Sequence, residues 1–244
     1  MVNIVKAEHL KMKRTFGKMI PLLTPCIILL IALLLTGGLG NAFPAGAWNW
    51  WYTIFLPSTL AIVCYLNIKK DNRVKYYNIF LLDISKQKSW SGKVIYCSIG
   101  LLVANFIILL GTLIGGAVFG TTIPFWGGIA GAFLLSLSYM WEVPLFLFLS
   151  AKFGMFASVF TSVILSISGV ITIADSGIWW AYPASIPIRL MCPVLGILPN
   201  GLPIPSGSEL SDPIVIIPGI ILSLVWFAVL AVGTSIWFQR REEK

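Results

Sequence analysis

Long apolar runs broken by short polar stretches dominate the chain, and six of them reach span length: about 19–38, 51–68, 94–119, 127–151, 153–173 and 214–238. A helix needs roughly 20 apolar residues to cross a hydrocarbon core. The runs are long and do not alternate, so they predict helices, not the short alternating strands of a β-barrel. Three stretches follow other patterns. In residues 1–18, Ile4, Val5, Met12 and Phe16 fall near one helical face with Lys6, Lys13 and Arg14 elsewhere, which predicts an interfacial amphipathic helix or else a disordered basic tail. Residues 69–93 form a basic, half-apolar island in which Val74, Tyr77, Leu81 and Ile84 recur at helical spacing. Residues 174–213 hold seven prolines around an apolar centre. That excludes a seventh long helix and predicts short helical pieces, with a turn at Asn200–Gly201.

Composition agrees with a membrane class: 58% of the 244 residues are hydrophobic and 11% charged, against about 25% charged in soluble domains. The expectation is one all-α polytopic domain over 1–244. The formal charge of +8 reflects topology. Every basic residue except Arg189 lies in the N-terminal segment, the 69–93 loop, the hinge at Lys152 or the C-terminal tail. With six spans these fall on one side, so the positive-inside rule puts both termini in the cytoplasm and no nucleic-acid partner is implied. Trp48, Trp51 and Tyr52, with Trp126, Trp179, Trp180 and Tyr182, are expected as the outer aromatic belt, and Trp90 and Trp237 as the inner one. The N-terminal apolar run reads as a retained first span, since no small-residue cleavage site directly follows it. Cys26, Cys64, Cys97 and Cys192 lack metal or disulfide spacing and read as small buried hydrophobes.

Few residues carry candidate chemistry. There is no phosphate-cradling G-x-x-x-x-G-K-[ST] and no GxSxG, and the one histidine, His9, lies outside the spans. No enzyme, metal site or cofactor is expected in this chain. Glu142, in LSYMWEVPLFLFLSAKFG, is the one ionisable residue clearly inside a span, roughly 15 Å deeper than Lys152. It reads either as a pathway-lining carboxylate or as a protonated or hydrogen-bonded group locking helices together. Pro144 beside it predicts a kink. Gly111, Gly115, Gly116 and Gly120, then Gly127, Gly128 and Gly131, allow close helix approach, expected within the chain. The apolar stripe of the island fits a membrane surface or the groove of a soluble partner equally well.

The order of IVKAEHLKMKRTFGK, WNWWY, a charged loop ending in SGK, P-x-x-I-P-x-R-L-M-C-P-V-L-G-I-L-P-N-G and WFQRREEK resembles lantibiotic-immunity permeases of the MutE/EpiE kind, in the type-2 ABC exporter class, over essentially the whole length. The resemblance implies a bacterial membrane permease subunit that works with two ABC ATPase subunits and a second permease, a paralogue, to remove a lantibiotic-type peptide from the bilayer. ATP and Mg would bind the partner ATPases. It further implies that residues 73–85 form a cytoplasmic coupling helix contacting the ATPase through Arg73, Tyr76, Tyr77, Phe80, Leu81 and Ile84. Asp175, Glu209 and Asp212, outside, are candidates for meeting a cationic peptide. The rival class is a secondary transporter or channel needing no ATPase, for which Glu142 and Pro144 are the only features.

Overall fold

In the computed structural model, which describes residues 1–13, 15–37, 42–73, 76, 85–170 and 174–240, the apolar runs are helices. They are α1 (Val2–Met12), α2 (Ile20–Thr36), α3 (Ala42–Trp50), α4 (Leu56–Arg73), α5 (Lys86–Phe119), α6 (Phe125–Ser138), α7 (Glu142–Phe153), α8 (Met155–Ser168), α9 (Ser185–Leu195) and α10 (Ile216–Gln239). Among the described residues there is no β-strand, only an isolated antiparallel bridge between Ile197 and Pro203. The chain is therefore an all-helical, membrane-embedded protein. Among the described residues, three helical stretches are long and apolar enough to cross a bilayer: Ala42–Arg73, Lys86–Phe119 and Pro213–Gln239. The α6–α7 pair makes a fourth if its 44° bend lies within one span. Helices α2 and α8 are apolar but shorter, with 17 and 14 residues, or about 25 and 21 Å at 1.5 Å per residue.

Two prolines shape the long elements. In Ala42–Arg73 the chain passes from α3 to α4 through a π-helical turn, Trp51–Phe55, where the Leu56 N–H bonds the Trp51 carbonyl. In that register the Tyr52 carbonyl would be paired by residue 57, but Pro57 has no N–H. The Tyr139 hydroxyl donates to the Tyr52 carbonyl instead. Pro144 acts likewise between α6 and α7. It has no N–H for the Met140 carbonyl, which accepts from the Val143 N–H at 3.2 Å instead; α6 ends at Ser138 and the chain restarts at Glu142, with proline in the tolerated first turn.

The island is shorter than the hydropathy pattern predicts. Helix α4 runs on to Arg73 and α5 begins at Lys86, capped by the Ser85 hydroxyl accepting from the Lys88 N–H. Lysine, glutamine and arginine are good helix formers, so polarity ends the apolar run without ending the backbone ladder. At 34 residues α5 is about 51 Å long, well beyond a ~30 Å hydrocarbon core.

The belt expectation fails for WNWWY. Trp48, Trp51 and Tyr52 are fully buried, because α3 packs against α2 and α5 and the π-helical turn after it packs against α2, α8 and α9. Trp90 is likewise internal, stacked on Phe238 at 4.8 Å and donating to the Thr234 hydroxyl at 3.0 Å, which ties α5 to α10. Trp126 and Trp180 are exposed. Cys26 is exposed too, whereas Cys64, Cys97 and Cys192 are buried.

The 174–213 segment folds back as packed structure. Helix α9 is buried along most of its length between α6 and α10. Arg189 donates to the Leu210 and Glu209 carbonyls at 2.9 and 3.1 Å, and Asn49 donates to the Pro199 carbonyl at 2.9 Å. The Asn200–Gly201 turn uses Gly201 at φ +85°. The glycines set the close approaches. A Cβ on Gly111 would stand 2.1 Å from Leu29, and one on Gly115 2.0 Å from Phe43. At Gly127 the obstacle is backbone, the Val194 carbonyl oxygen at 2.4 Å. Gly127→Ala is therefore expected to push α9 off α6 and destabilise the protein by about 1–3 kcal/mol, seen as a lower midpoint of thermal unfolding in detergent. An unchanged midpoint would mean that this contact relaxes freely.

Candidate functional site

Helix α1 does not rest on the bundle by its apolar face alone. Its inward positions carry Ile4, Glu8, Lys11 and Met12 at three- and four-residue spacing. Ile4 sits over Gly92, where a Cβ would come within 2.5 Å of its side chain, and Met12 packs against Gly17. Between these apolar ends lies a buried ion cluster. Lys93, wholly buried at the start of α5, donates to both Glu8 oxygens at 3.2 Å and pairs with Asp71 in the last turn of α4. Lys11 pairs with Glu8 at 2.6 Å and with Asp71 at 3.0 Å. Asn67 donates to Glu8 at 3.2 Å and accepts from Lys93 at 3.4 Å, while the Lys70 ammonium donates to the Lys11 carbonyl.

Two ammonium groups thus face two carboxylates, so the cluster is neutral in sum and its lone pairs are largely used, as a buried ion group requires. Burial, together with the nearby Lys93 ammonium, holds the Lys11 ammonium below the ordinary lysine range, against the upward pull of Glu8 and Asp71. Mechanically, the cluster ties α1 to both helices that flank residues 74–84.

A second polar array lies deeper. The Trp51 indole donates to Asn105 at 2.8 Å, Asn105 donates to the Ser136 hydroxyl at 2.9 Å, and Ser136 donates to the Ala132 carbonyl at 2.8 Å. This chain crosses from the π-helical turn through α5 to α6, and the Tyr139–Tyr52 bond continues it toward the break before α7. Glu142 opens α7 just past that break. It is 1% exposed, and among the described residues its Oε2 has no hydrogen-bond partner and no cation pairs with it. Cys64 and Tyr139 are its polar neighbours; Cys64 approaches the Val143 carbonyl at 3.7 Å. Among the described residues no group of three or more histidine, cysteine, aspartate or glutamate side chains could hold a metal ion.

The other candidates from the sequence scatter. Arg73 is exposed at the end of α4. Tyr76 is buried, with φ 61° and its ring edge-on to Phe238 of α10 at 5.7 Å. Tyr77, Phe80, Leu81 and Ile84 lie outside the described residues. Asp175, Glu209 and Asp212 are exposed at the end of the bundle that carries α9; Asp212 also caps Ile214 N–H at 2.9 Å. Phe16, expected on the apolar face of the N-terminal helix, is exposed in a 3-10 turn after α1.

Sequence reasoning missed Glu8, Lys11, Asp71 and Lys93 as a group, counting the lysines as solvated topology markers. One signal was available: before Glu142 the acids are only Glu8, Asp71 and Asp83, and Glu8–Lys11 has helical pairing distance. No protein-family model matches the chain, and comparison with curated proteins and with solved structures gives no match.

Proposed function

We propose that the chain is the permease subunit of an ATP-driven bacterial exporter of the type-2 ABC class, handling a cationic lantibiotic-type peptide. The observation that supports this reading is the buried ion cluster. An exporter whose motor is a separate soluble subunit needs its cytoplasmic contact elements rigidly joined to the spans. Here Glu8 and Lys11 of α1 are joined through Asp71 and Lys93 to both helices flanking residues 74–84.

In this reading α2, α3–α4, α5, α6–α7, α8 and α10 are six spans, with α1 and residues 74–84 in the cytoplasm and the α9 segment outside. The ATPase subunits bind the 74–84 segment, and a second permease, a paralogue, completes the pore. ATP-driven closure of the motors pulls on α4 and α5, which changes the packing along the Trp51–Asn105–Ser136 seam. Asp175, Glu209 and Asp212 offer negative charge to the peptide on the outer face.

Replacing Tyr77, Leu81 and Ile84 together with glutamate is expected to abolish recovery of the ATPase with the tagged permease, while the variant still inserts into membranes. Undiminished ATPase recovery would reject the contact. A second reading, a secondary transporter, draws on the unpaired Glu142 at a helix break; in that case the purified wild-type protein would hold no ATPase at all.

A further inference from the structure

Helix α1 has two unlike faces. Ile4, Glu8, Lys11 and Met12 turn into the bundle, and on the opposite side Val2, Lys6, Leu10 and Lys13 form one stripe at three- and four-residue spacing. That stripe is open: Val2 is 68% and Leu10 64% exposed, and Phe16 in the turn that follows is 70% exposed. Lys6 and Lys13 are exposed as well, and neither ammonium has an ion-pair partner among the described residues. The charge around them has one sign. Among the described residues at this end the acids are Glu8 and Asp71, both buried in the ion cluster, whereas Arg73, Lys152 and Arg240 are exposed bases. The exposed carboxylates among the described residues, Asp175, Glu209 and Asp212, all lie at the α9 end.

A stripe that alternates apolar and cationic side chains suits neither bulk water nor a protein groove, which reads a helix through successive apolar anchors. An anionic lipid surface takes both kinds of side chain at once, because its phosphates and upper acyl segments lie within one side-chain length of each other. The level fits. Ile4 sits over Gly92, within two turns of the start of α5, and α5 exceeds a ~30 Å hydrocarbon core by about 20 Å, which leaves room for α1 among the headgroups. The orientation is fixed too. The hydropathy pattern points Ile4 and Met12 at the membrane, but their contacts with Gly92 and Gly17, and the ion cluster between them, turn the opposite side outward. We infer that this outward face of α1 binds anionic phospholipids of the adjacent leaflet, with Lys6 and Lys13 pairing with phosphate groups and Val2, Leu10 and Phe16 seated among the upper acyl segments. The inference does not rest on an ATPase partner.

Two measurements on the full-length chain test this. In the first, native mass spectrometry follows the most strongly held lipid after purification in detergent with either phosphatidylglycerol or phosphatidylcholine. Wild-type protein is expected to hold phosphatidylglycerol about five- to thirtyfold more strongly, roughly fivefold for each lysine. Lys6→Gln with Lys13→Gln is expected to remove most of that preference, whereas Lys152→Gln with Arg240→Gln, exposed bases at the ends of α7 and α10, leaves it nearly intact. Equal retention of the two lipids by the wild type, a preference that survives the α1 changes, or an equal loss in the α7 and α10 control would overturn the assignment. In the second, a fluorophore on Leu10→Cys reports what covers the face in phosphatidylglycerol liposomes, with Cys26→Ser in the background because Cys26 is exposed. Quenching by a lipid-borne nitroxide and not by iodide is the expected result. Quenching by iodide alone marks a face left free for a soluble partner, and protection from both quenchers marks a second copy of the chain; either outcome overturns the lipid assignment.

Discussion

Lys93→Met is expected to destabilise the protein by about 3–5 kcal/mol, the largest effect of any single exposed-to-solvent-looking lysine in the sequence. The substitution keeps the length and apolar stem of the side chain but leaves Glu8 and Asp71 buried with only Lys11 to balance them. An uncompensated carboxylate in that position draws water in or detaches α1. Two measurements report on it. The thermal midpoint in detergent falls, and limited trypsin digestion at the exposed Lys6 and Lys13 accelerates as α1 comes loose. The charge argument makes a sharper demand on the double variant. Glu8→Gln added to Lys93→Met restores one acid to one base, so the pair is expected to lose clearly less than the sum of the two single changes. Strict additivity would mean that the cluster is a set of independent contacts and not a unit. The same logic bears on function. On the proposed exporter reading, in which α1 and the 74–84 segment work as one body through this cluster, Lys93→Met weakens the link between ATP hydrolysis and transport before it abolishes ATPase binding.

At Glu142 the expected results diverge by substitution. Glu142→Lys is expected to cost roughly 3 kcal/mol or more, because a charge at this fully buried position meets no counter-ion among the described residues. Glu142→Gln is neutral and nearly isosteric, and is expected to leave stability within about 1 kcal/mol. On the proposed exporter reading, the informative readout is then transport. If Glu142 serves as a structural lock, the glutamine variant exports at the wild-type level. If the carboxyl itself lines the route, export of a cationic substrate falls although folding, membrane insertion and ATPase recovery are unchanged. A destabilised glutamine variant would contradict the packing described for this site.

Much of the membrane architecture was legible in the linear pattern. The apolar runs give the long helices, since a backbone in lipid must satisfy its own hydrogen bonds. The proline density of 174–213 ruled out a long helix there, and Pro144 marked the break before α7 to within a few residues. The spacing of Gly111, Gly115 and Gly127 marked the helix faces that approach closely. These are local consequences of composition and periodicity, and they need no knowledge of what lies across the bundle.

What the pattern could not convey is which polar groups meet. Lys93 and Asp71 read as loop charges because hydropathy stops at the first polar residue, whereas the helices carry both side chains onward to a point where α1 supplies Glu8 and Lys11. Trp48, Trp51 and Tyr52 read as a belt because an indole suits either a headgroup layer or a packed interior. Only the packing of α3 and of the turn after it inside the bundle makes them core. Tyr139 donating to the carbonyl that Pro57 leaves open is a contact across 87 positions of sequence. The sequence by itself determined that the chain is helical and membrane-embedded and where its helices weaken, because those properties follow from each residue's own solvation and backbone chemistry. The tertiary structure alone decided which charges are paired and which are left free, because a partner is a property of two distant segments brought to the same place.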